Sequence, residues 1–290
     1  MLTSKATAIA HGAATIVNAI ALGKGAAFGV DLWTKAEVKL TNEPYVFTAE
    51  ILSDPKESNL LMEKTVSRVL QRFSLEKSFG ANIKTWSNIP IAKGLKSSSV
   101  AANAVVLATT AALGKTLTDL ETINLGVDAA FDAKVTVTGA FDDASASFFG
   151  GIIITDNLKR QMVKQLPFAE DLVVLFHLPP EKAYTADSNV KRLQTIKPLV
   201  EVVYKEALEG KVWYALTLNG LIYSSASGYN PAIALDALAA GAVAAGLCGK
   251  GPAVTAVTPR DNVDSVKAAL QKYNGKILQA QFNSEKAKVL

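Results

Sequence analysis

The chain has 290 residues, 49% of them hydrophobic and 19% charged, which is enough apolar material for a large core in one or two domains without the composition of a membrane protein. Its net charge of +4 is mild and spread out, with no dense lysine–arginine block and no aromatic–basic interleaving; this argues against a nucleic-acid partner and leaves acidic small molecules or nucleotides. One cysteine, Cys248, excludes an intrachain disulfide framework, and two histidines, His11 and His177, argue against a structural zinc site.

Taken in order, residues 3–10 read as a strand, His11 to Ala14 as a turn-like break, and 15–22 as a further apolar stretch. His11, Asn18 and Lys24 interrupt this region, so no secretory signal core is expected. Residues 26–30 and 36–40 read as two strands, and 45–49 as another after the turn at Asn42-Glu43-Pro44. Leu61, Thr65, Val69 and Phe73 share one face of a predicted helix over 58–73, and 80–88 reads as a short strand.

Next comes NIPIAKGLKSSSVAANAVVLATTAALG, residues 88–114. Pro90 stops the preceding element and Gly94 permits a tight bend. Ser97, Ser98 and Ser99 can cap an alanine-rich helix from Val100. Free amides at such a start, the positive end of the dipole, and Lys93 and Lys96 make a recipe for holding phosphate; the plainer reading is an ordinary capped helix on a surface loop.

Thr118 with Glu121 predicts a capping box for a helix over 118–131. Residues 135–139 and 152–155 read as strands, with Asp142 and Asp143 between them. A carboxylate there can orient or deprotonate a hydroxyl, although a turn or helix cap explains the pair equally simply. A change of domain is expected near 159–168. The second half reads as a strand at 172–178, a helix over 190–209 broken at Pro198, helices over 213–224 and 231–247, a strand at 253–258, a helix at 262–272 and a last strand at 276–282. The stretch 231–249 is very apolar, but it is mostly alanine and contains Asp236, so a buried helix is expected rather than a membrane span. Together these features predict a cytoplasmic protein.

The loop Pro90-x-x-x-Gly94-Leu95-Lys96-Ser97-Ser98-Ser99 resembles the signature loop of the GHMP kinases, PxxxGLGSSA, with lysine and serine in place of its last glycine and alanine. That variant is similar to one branch, the archaeal-type shikimate kinases, and so are residues 10–34, 135–151 (VTVTGAFDDASASFFGG) and 246–257 (GLCGKGPAVTAV). The resemblance implies an α+β fold of two domains: 1–160, like domain 2 of ribosomal protein S5, and 161–290, ferredoxin-like. It implies transfer of the ATP γ-phosphoryl to the 3-hydroxyl of shikimate, with ATP and Mg2+ as cofactors.

Carried over residue by residue, the resemblance implies Asp142 as the base, with Asp143 its neighbour and fallback. Nucleotide contacts are expected from Pro90, Ile91, Ala92, Lys93, Gly94, Leu95, Lys96, Ser97, Ser98 and Ser99, and from Gly249 and Gly251 of the third motif, where Cys248 replaces a small hydroxyl residue. Ser98 and Asp132, with Asp128 nearby, are the expected metal ligands. The family lysine position falls on Thr7, leaving Lys5, Lys93 or Lys96 for that role. His11, Gly12, Thr138 and Gly139 are expected at the acceptor, a structural role for His11 being the equal alternative, and Arg160, Arg192 and Arg260 are the candidates to read its carboxylate, with position alone not choosing among them.

Overall fold

The computed structural model describes residues 4–168, 171–183 and 190–290. β1 (Lys5–Val17) and β2 (Lys24–Thr41) form a long antiparallel pair. The break expected at His11 is instead a bulge between His11 and Gly12 inside β1. A Cβ at Gly12 would come 2.9 Å from Val30 Cγ2, so the glycine serves close strand packing rather than a turn. The two strands expected at 26–30 and 36–40 are one strand, whose exposed midpoint Asp31 accepts from the Gln281 amide at 2.8 Å.

β3 (Phe47–Ile51) runs parallel to β4 (Gly80–Ser87), joined by α1 (Leu60–Arg72), whose Met62, Val66, Val69 and Leu70 face the core. α2 (Ser97–Ala112) follows, then α3 (Asp119–Asp132), which starts with the predicted Thr118–Glu121 capping box. The strand expected at 135–139 does not form. Positive φ at Lys134 (58°), Gly139 (82°) and Ala140 (49°) turns the chain into α4 (Phe141–Phe149) before any edge is met. β5 (Ile152–Asp156) pairs with β2 and with β6 (Gln161–Leu166), so the first sheet continues past residue 160.

The second sheet takes β7 (Leu172–Leu178), β8 (Ala244–Leu247), β9 (Val254–Pro259) and β10 (Lys276–Ala280) in the spatial order β10-β7-β9-β8, all antiparallel, which is the ferredoxin-like arrangement. Its helices are α5 (Val190–Gln194), α6 (Lys197–Leu208), α7 (Val212–Ser227), α8 (Ala232–Ala239) and α9 (Val263–Leu270). Pro198 separates α5 from α6, sitting in the first turn where its missing amide is harmless. The helix expected over 231–247 ends at Ala239. Gly241 (φ 101°) turns the chain, and Gly246 of β8 lies so close to Gly220 of α7 that a Cβ on either would collide. β11 (Lys288–Val289) returns to pair with β1.

α2 and α4 pack on β1 and β2, while α7 spans β8 and β1. One buried apolar cluster therefore runs through both halves. Fully buried Phe28 meets Trp213 of α7 edge-on at 5.5 Å and Phe282 at 5.3 Å, pinning the two sheets together. Phe28→Ala is expected to lower stability by about 3–5 kcal/mol in urea titration. A loss below roughly 1 kcal/mol would mean that this aromatic joint lies outside the cooperative core.

Candidate active site

A cleft of about 410 Å³ opens between the halves. Its walls include Asn18, Thr34, Ser97 to Ser99, residues 134–138, Asp142, Asp143 and Gly249. The serine loop is held in place before it reaches α2. Trp33 N–H donates to Asn88 Oδ1 at 2.7 Å, the Ala183 amide to Ala92 O at 2.9 Å, and the Ala253 amide to Lys93 O at 3.2 Å. At Gly94 (φ 85°) a Cβ would collide with the Cys248 carbonyl, and Cys248 Sγ donates back to Gly94 O at 3.3 Å.

The serines do not cap α2. The cap position is Lys96, in the left-handed region (φ 64°, ψ 20°), and no side chain bonds the first-turn amides. Ser97, Ser98 and Ser99 lie inside that turn and line the cleft, and the turn carries no acidic side chain. An uncapped helix start facing a cleft offers its N–H groups and dipole to an anion.

α4 also begins at the cleft, after left-handed Ala140, with Asp142 and Asp143 in its first turn. Asp142 is 3% exposed and accepts from Asn157 Nδ2 at 2.8 Å; Asn157 Oδ1 in turn accepts from Thr155 Oγ1 at 2.6 Å. A Cβ at Gly25 would strike Asp142 Oδ2, so that glycine gives the carboxylate its room. Asp143 Oδ2 pairs with Lys96 Nζ at 3.1 Å, with both side chains nearly buried, and Asp143 Oδ1 has no hydrogen-bond partner among the described residues. Burial first, and the charge of Asp143 second, push the Asp142 carboxyl up to about 7, while Lys96 and the Asn157 amide pull it down. Burial works against the Lys96 ammonium, but Asp143, Cys248 and Asp142 outweigh it and hold its pKa above the usual lysine value.

The expected residues separate accordingly. Ile91, Ala92, Gly94, Lys96, the three serines, Thr138, Asp142, Asp143 and Gly249 meet in the cleft. Pro90 and Leu95 shape the loop from behind, Leu95 being 2% exposed. Gly139 backs onto Val127 and Phe131, and Gly251 onto Tyr229. Lys93 does not face the cleft, because its Nζ donates to the carbonyls of Pro179, Pro180 and Glu181. His11 and Gly12 do not line it either: they sit at the β1 bulge, and although His11 pairs across the sheet with Trp33, next to Thr34 of the cleft wall, neither residue faces the cleft. His11 lies instead near Glu285, Lys288 and Asp31, with burial lowering its pKa.

Asp132 is corrected as a metal ligand. Arg68 holds both its oxygens, at 2.6 and 2.7 Å, and that hydrogen bonding keeps its carboxyl below the usual range. Asp128 is paired with Arg160 at 2.6 Å, and Arg260 with Asp171 at 2.6 Å. None of the three arginines lines the cleft, whose basic side chains are Lys96, Lys134 and Lys250. Among the described residues no three His, Cys, Asp or Glu side chains gather into a metal cage. A divalent ion that arrives with a nucleotide takes most of its oxygens from phosphate and water, and the Ser98 hydroxyl with the unpartnered Asp143 Oδ1 fits that smaller demand.

Sequence reasoning missed Asn18 and Asn157. Asn18 Nδ2 donates to Gly249 O at 2.8 Å, its amide to Asn219 Oδ1 at 3.0 Å, and its carbonyl accepts from Tyr223 Oη at 2.9 Å, which joins the β1–β2 turn to α7 and the glycine loop. A lone asparagine in the apolar run TIVNAIAL was the available signal. Asn157, just past the strand expected at 152–155, carries no signal in the sequence beyond that of a turn residue.

The Asp142 carboxyl sets a pH dependence. Its value is raised on folding, so the stability it contributes is fully present below about 4 and is lost as pH rises through about 7. The melting temperature of Asp142→Asn is expected to gain on that of wild type between pH 5 and pH 8; parallel curves would show that the carboxyl is not buried as described.

The family described as GHMP kinases N terminal domain matches residues 59–151. The chain is 46% identical over 288 residues to a shikimate kinase from Methanosarcina mazei, covering 99% of this chain and 97% of that one. It is 40% identical to a shikimate kinase from Methanothermobacter thermautotrophicus, with 100% of both covered. The fold superposes on the homoserine kinase of Cytophaga hutchinsonii with a TM-score of 0.75 at 18% identity, covering 100% of this chain and 98% of that one. The signature loop, the paired helix starts, the two-sheet architecture and near-full-length identity at this level agree: the chain belongs to the GHMP kinases, in the branch formed by the archaeal shikimate kinases.

Proposed function

We propose that this chain is a shikimate kinase, transferring the γ-phosphoryl group of ATP to the 3-hydroxyl of shikimate to give shikimate 3-phosphate and ADP. The observation that carries the reading is one fixed carboxylate, Asp142, in the same cleft as the uncapped start of α2, in a chain 46% identical to a shikimate kinase.

The first-turn amides of α2 and the hydroxyls of Ser97 to Ser99 hold the phosphate oxygens. The serine loop is braced from both halves of the chain, so the phosphates meet donors that need not reorganise during the reaction. Asp142 accepts the proton of the attacking hydroxyl. The hydroxyl oxygen bonds to the γ-phosphorus, the bond from that phosphorus to the β–γ bridging oxygen breaks, and ADP leaves. Asn157 fixes Asp142 Oδ1, which orients the carboxylate, and a carboxyl near 7 is a better proton acceptor than an exposed aspartate. Ser98 and Asp143 are the residues that would hold Mg2+, which would supply neutralisation of phosphate charge. Among the described residues no helix is long and apolar enough to cross a membrane, and we place the reaction in the cytoplasm.

The test is ADP release with shikimate, homoserine and mevalonate offered separately. Release with shikimate alone, falling about 10²–10⁴-fold in Asp142→Asn, is the expected result. Turnover with another acceptor would overturn the substrate while leaving the chemistry, and an unimpaired Asp142→Asn would overturn the base.

A further inference from the structure

Shikimate carries one charge, its carboxylate, and a site that selects it needs a cation to pair with that group. Every lysine and arginine of the chain lies within the described residues, and three of them line the cleft: Lys96, Lys134 and Lys250. Their places differ. Lys96 Nζ is held 3.1 Å from Asp143 Oδ2, so its charge is matched within the protein. Lys134 follows α3, and the next residue, Val135, packs against the cluster of Leu61, Ala129 and Ala133. With Ile51, Met62 and Val137 these side chains make an apolar end of the cleft, which suits a flat base better than a small acid covered with hydroxyls.

Lys250 stands at the other end, in the wall that borders Asp142. Asn18 Nδ2 donates to Gly249 O at 2.8 Å, and its neighbour Ala19 lies with Asp142 against Gly25, where a Cβ would strike the carboxylate and come 3.1 Å from Ala19 Cβ. Gly249 also abuts the Lys96–Asp143 pair: a Cβ there would come 2.7 Å from Lys96 Nζ. The loop that carries Lys250 is fixed on both sides. Gly249 (φ 60°) and Gly251 (φ 80°) turn it, the Gly251 amide donates to Cys248 O at 2.9 Å, and the Cys248 amide donates to Ala253 O at 2.8 Å. A half-buried lysine stem therefore leaves the wall from a set position.

We propose that Lys250 determines acceptor specificity by pairing with the carboxylate of shikimate while the 3-hydroxyl lies at Asp142. This rests on the kinase reading above and supplies the cation that Arg160, Arg192 and Arg260, all outside the cleft, do not. In shikimate one ring carbon separates the carbon that bears the carboxylate from the carbon that bears the 3-hydroxyl. The reader of the carboxylate must then stand within a ring's width of the group that receives the hydroxyl proton, which is the wall that Asn18, Ala19, Gly249 and Lys250 form. The carboxylate keeps its charge throughout the reaction. Lys250 therefore holds bound substrate and transition state alike, and its contribution falls on KM rather than kcat.

The test offers the full chain, with ATP and Mg2+, either shikimate or its methyl ester, which keeps the ring and the hydroxyls but has no charge. The wild type is expected to favour the acid in kcat/KM by about 10–100-fold. In Lys250→Met that preference is expected to vanish through a higher KM for shikimate, with kcat and turnover of the ester within about threefold of wild type. Lys250→Arg keeps the charge and is expected to keep most of the preference, and Lys134→Met is expected to keep it. Calorimetry without acceptor is expected to show ATP binding to Lys250→Met within about twofold of wild type. A Lys250→Met variant that retains the preference, or that loses acid and ester alike, would overturn the proposal. So would loss of the preference in Lys134→Met, a wild type that uses the ester as well as the acid, or an ATP affinity that falls about tenfold in Lys250→Met, which would place the ammonium at the phosphates. A wild type that turns over neither acceptor would overturn the shikimate reading and the role of Lys250 with it, a failure seen before any substitution is made.

Discussion

Two helix starts converge on one small volume, and the chemistry of the cleft depends on that convergence. α2 and α4 each begin after a residue with left-handed backbone, Lys96 and Ala140, and both lie on β1 and β2. Asn103 of α2 ties them together, donating to Ala144 O at 2.9 Å and towards Ser147 Oγ at 3.3 Å. The positive ends of two dipoles therefore act where Asp142 and Asp143 are buried to 3% and 7% exposure.

The second half of the chain makes this arrangement rigid. Asn18, at the end of β1, is bonded to Gly249, Asn219 and Tyr223, and Tyr204 Oη donates to Thr155 O at 3.1 Å just behind the Thr155–Asn157–Asp142 relay. Cys248 and Ala253 brace the serine loop at Gly94 and Lys93. Cleft residues carried by the first sheet are thus positioned by contacts from the second, through the same joint that Phe28 and Trp213 make in the core. Burial of the Asp142 carboxyl, which pushes it up to about 7, costs the fold stability as the pH rises through that value.

Much of this was legible in the chain itself. Apolar periodicity found α1, the capping box found the start of α3, and Pro198 marked the break between α5 and α6, because each is a short-range steric or hydrogen-bonding rule. The motif order gave the serine loop and Asp142. The errors have the opposite character. Residues 135–139 alternate like a strand but form none; 231–247 is helical in composition, but its helix ends at Ala239, Gly241 turns the chain, and Gly246 packs on Gly220 as part of β8. Asp132 and Lys93 have suitable chemistry and turned out to be occupied elsewhere, by Arg68 and by the carbonyls of 179–181.

The sequence by itself therefore determined the family and many of the elements, since these rest on local pattern and on residue types at fixed spacing. Only the tertiary structure decided which charges meet. Lys96 and Asp143 are separated by all of α2 and α3, Asn157 reaches Asp142 past the rest of α4 and all of β5, and Asn18 reaches Gly249 across the joint between the sheets. Partner choice among charged and polar groups is set by distances of about 3 Å in space, and no spacing along the chain encodes them.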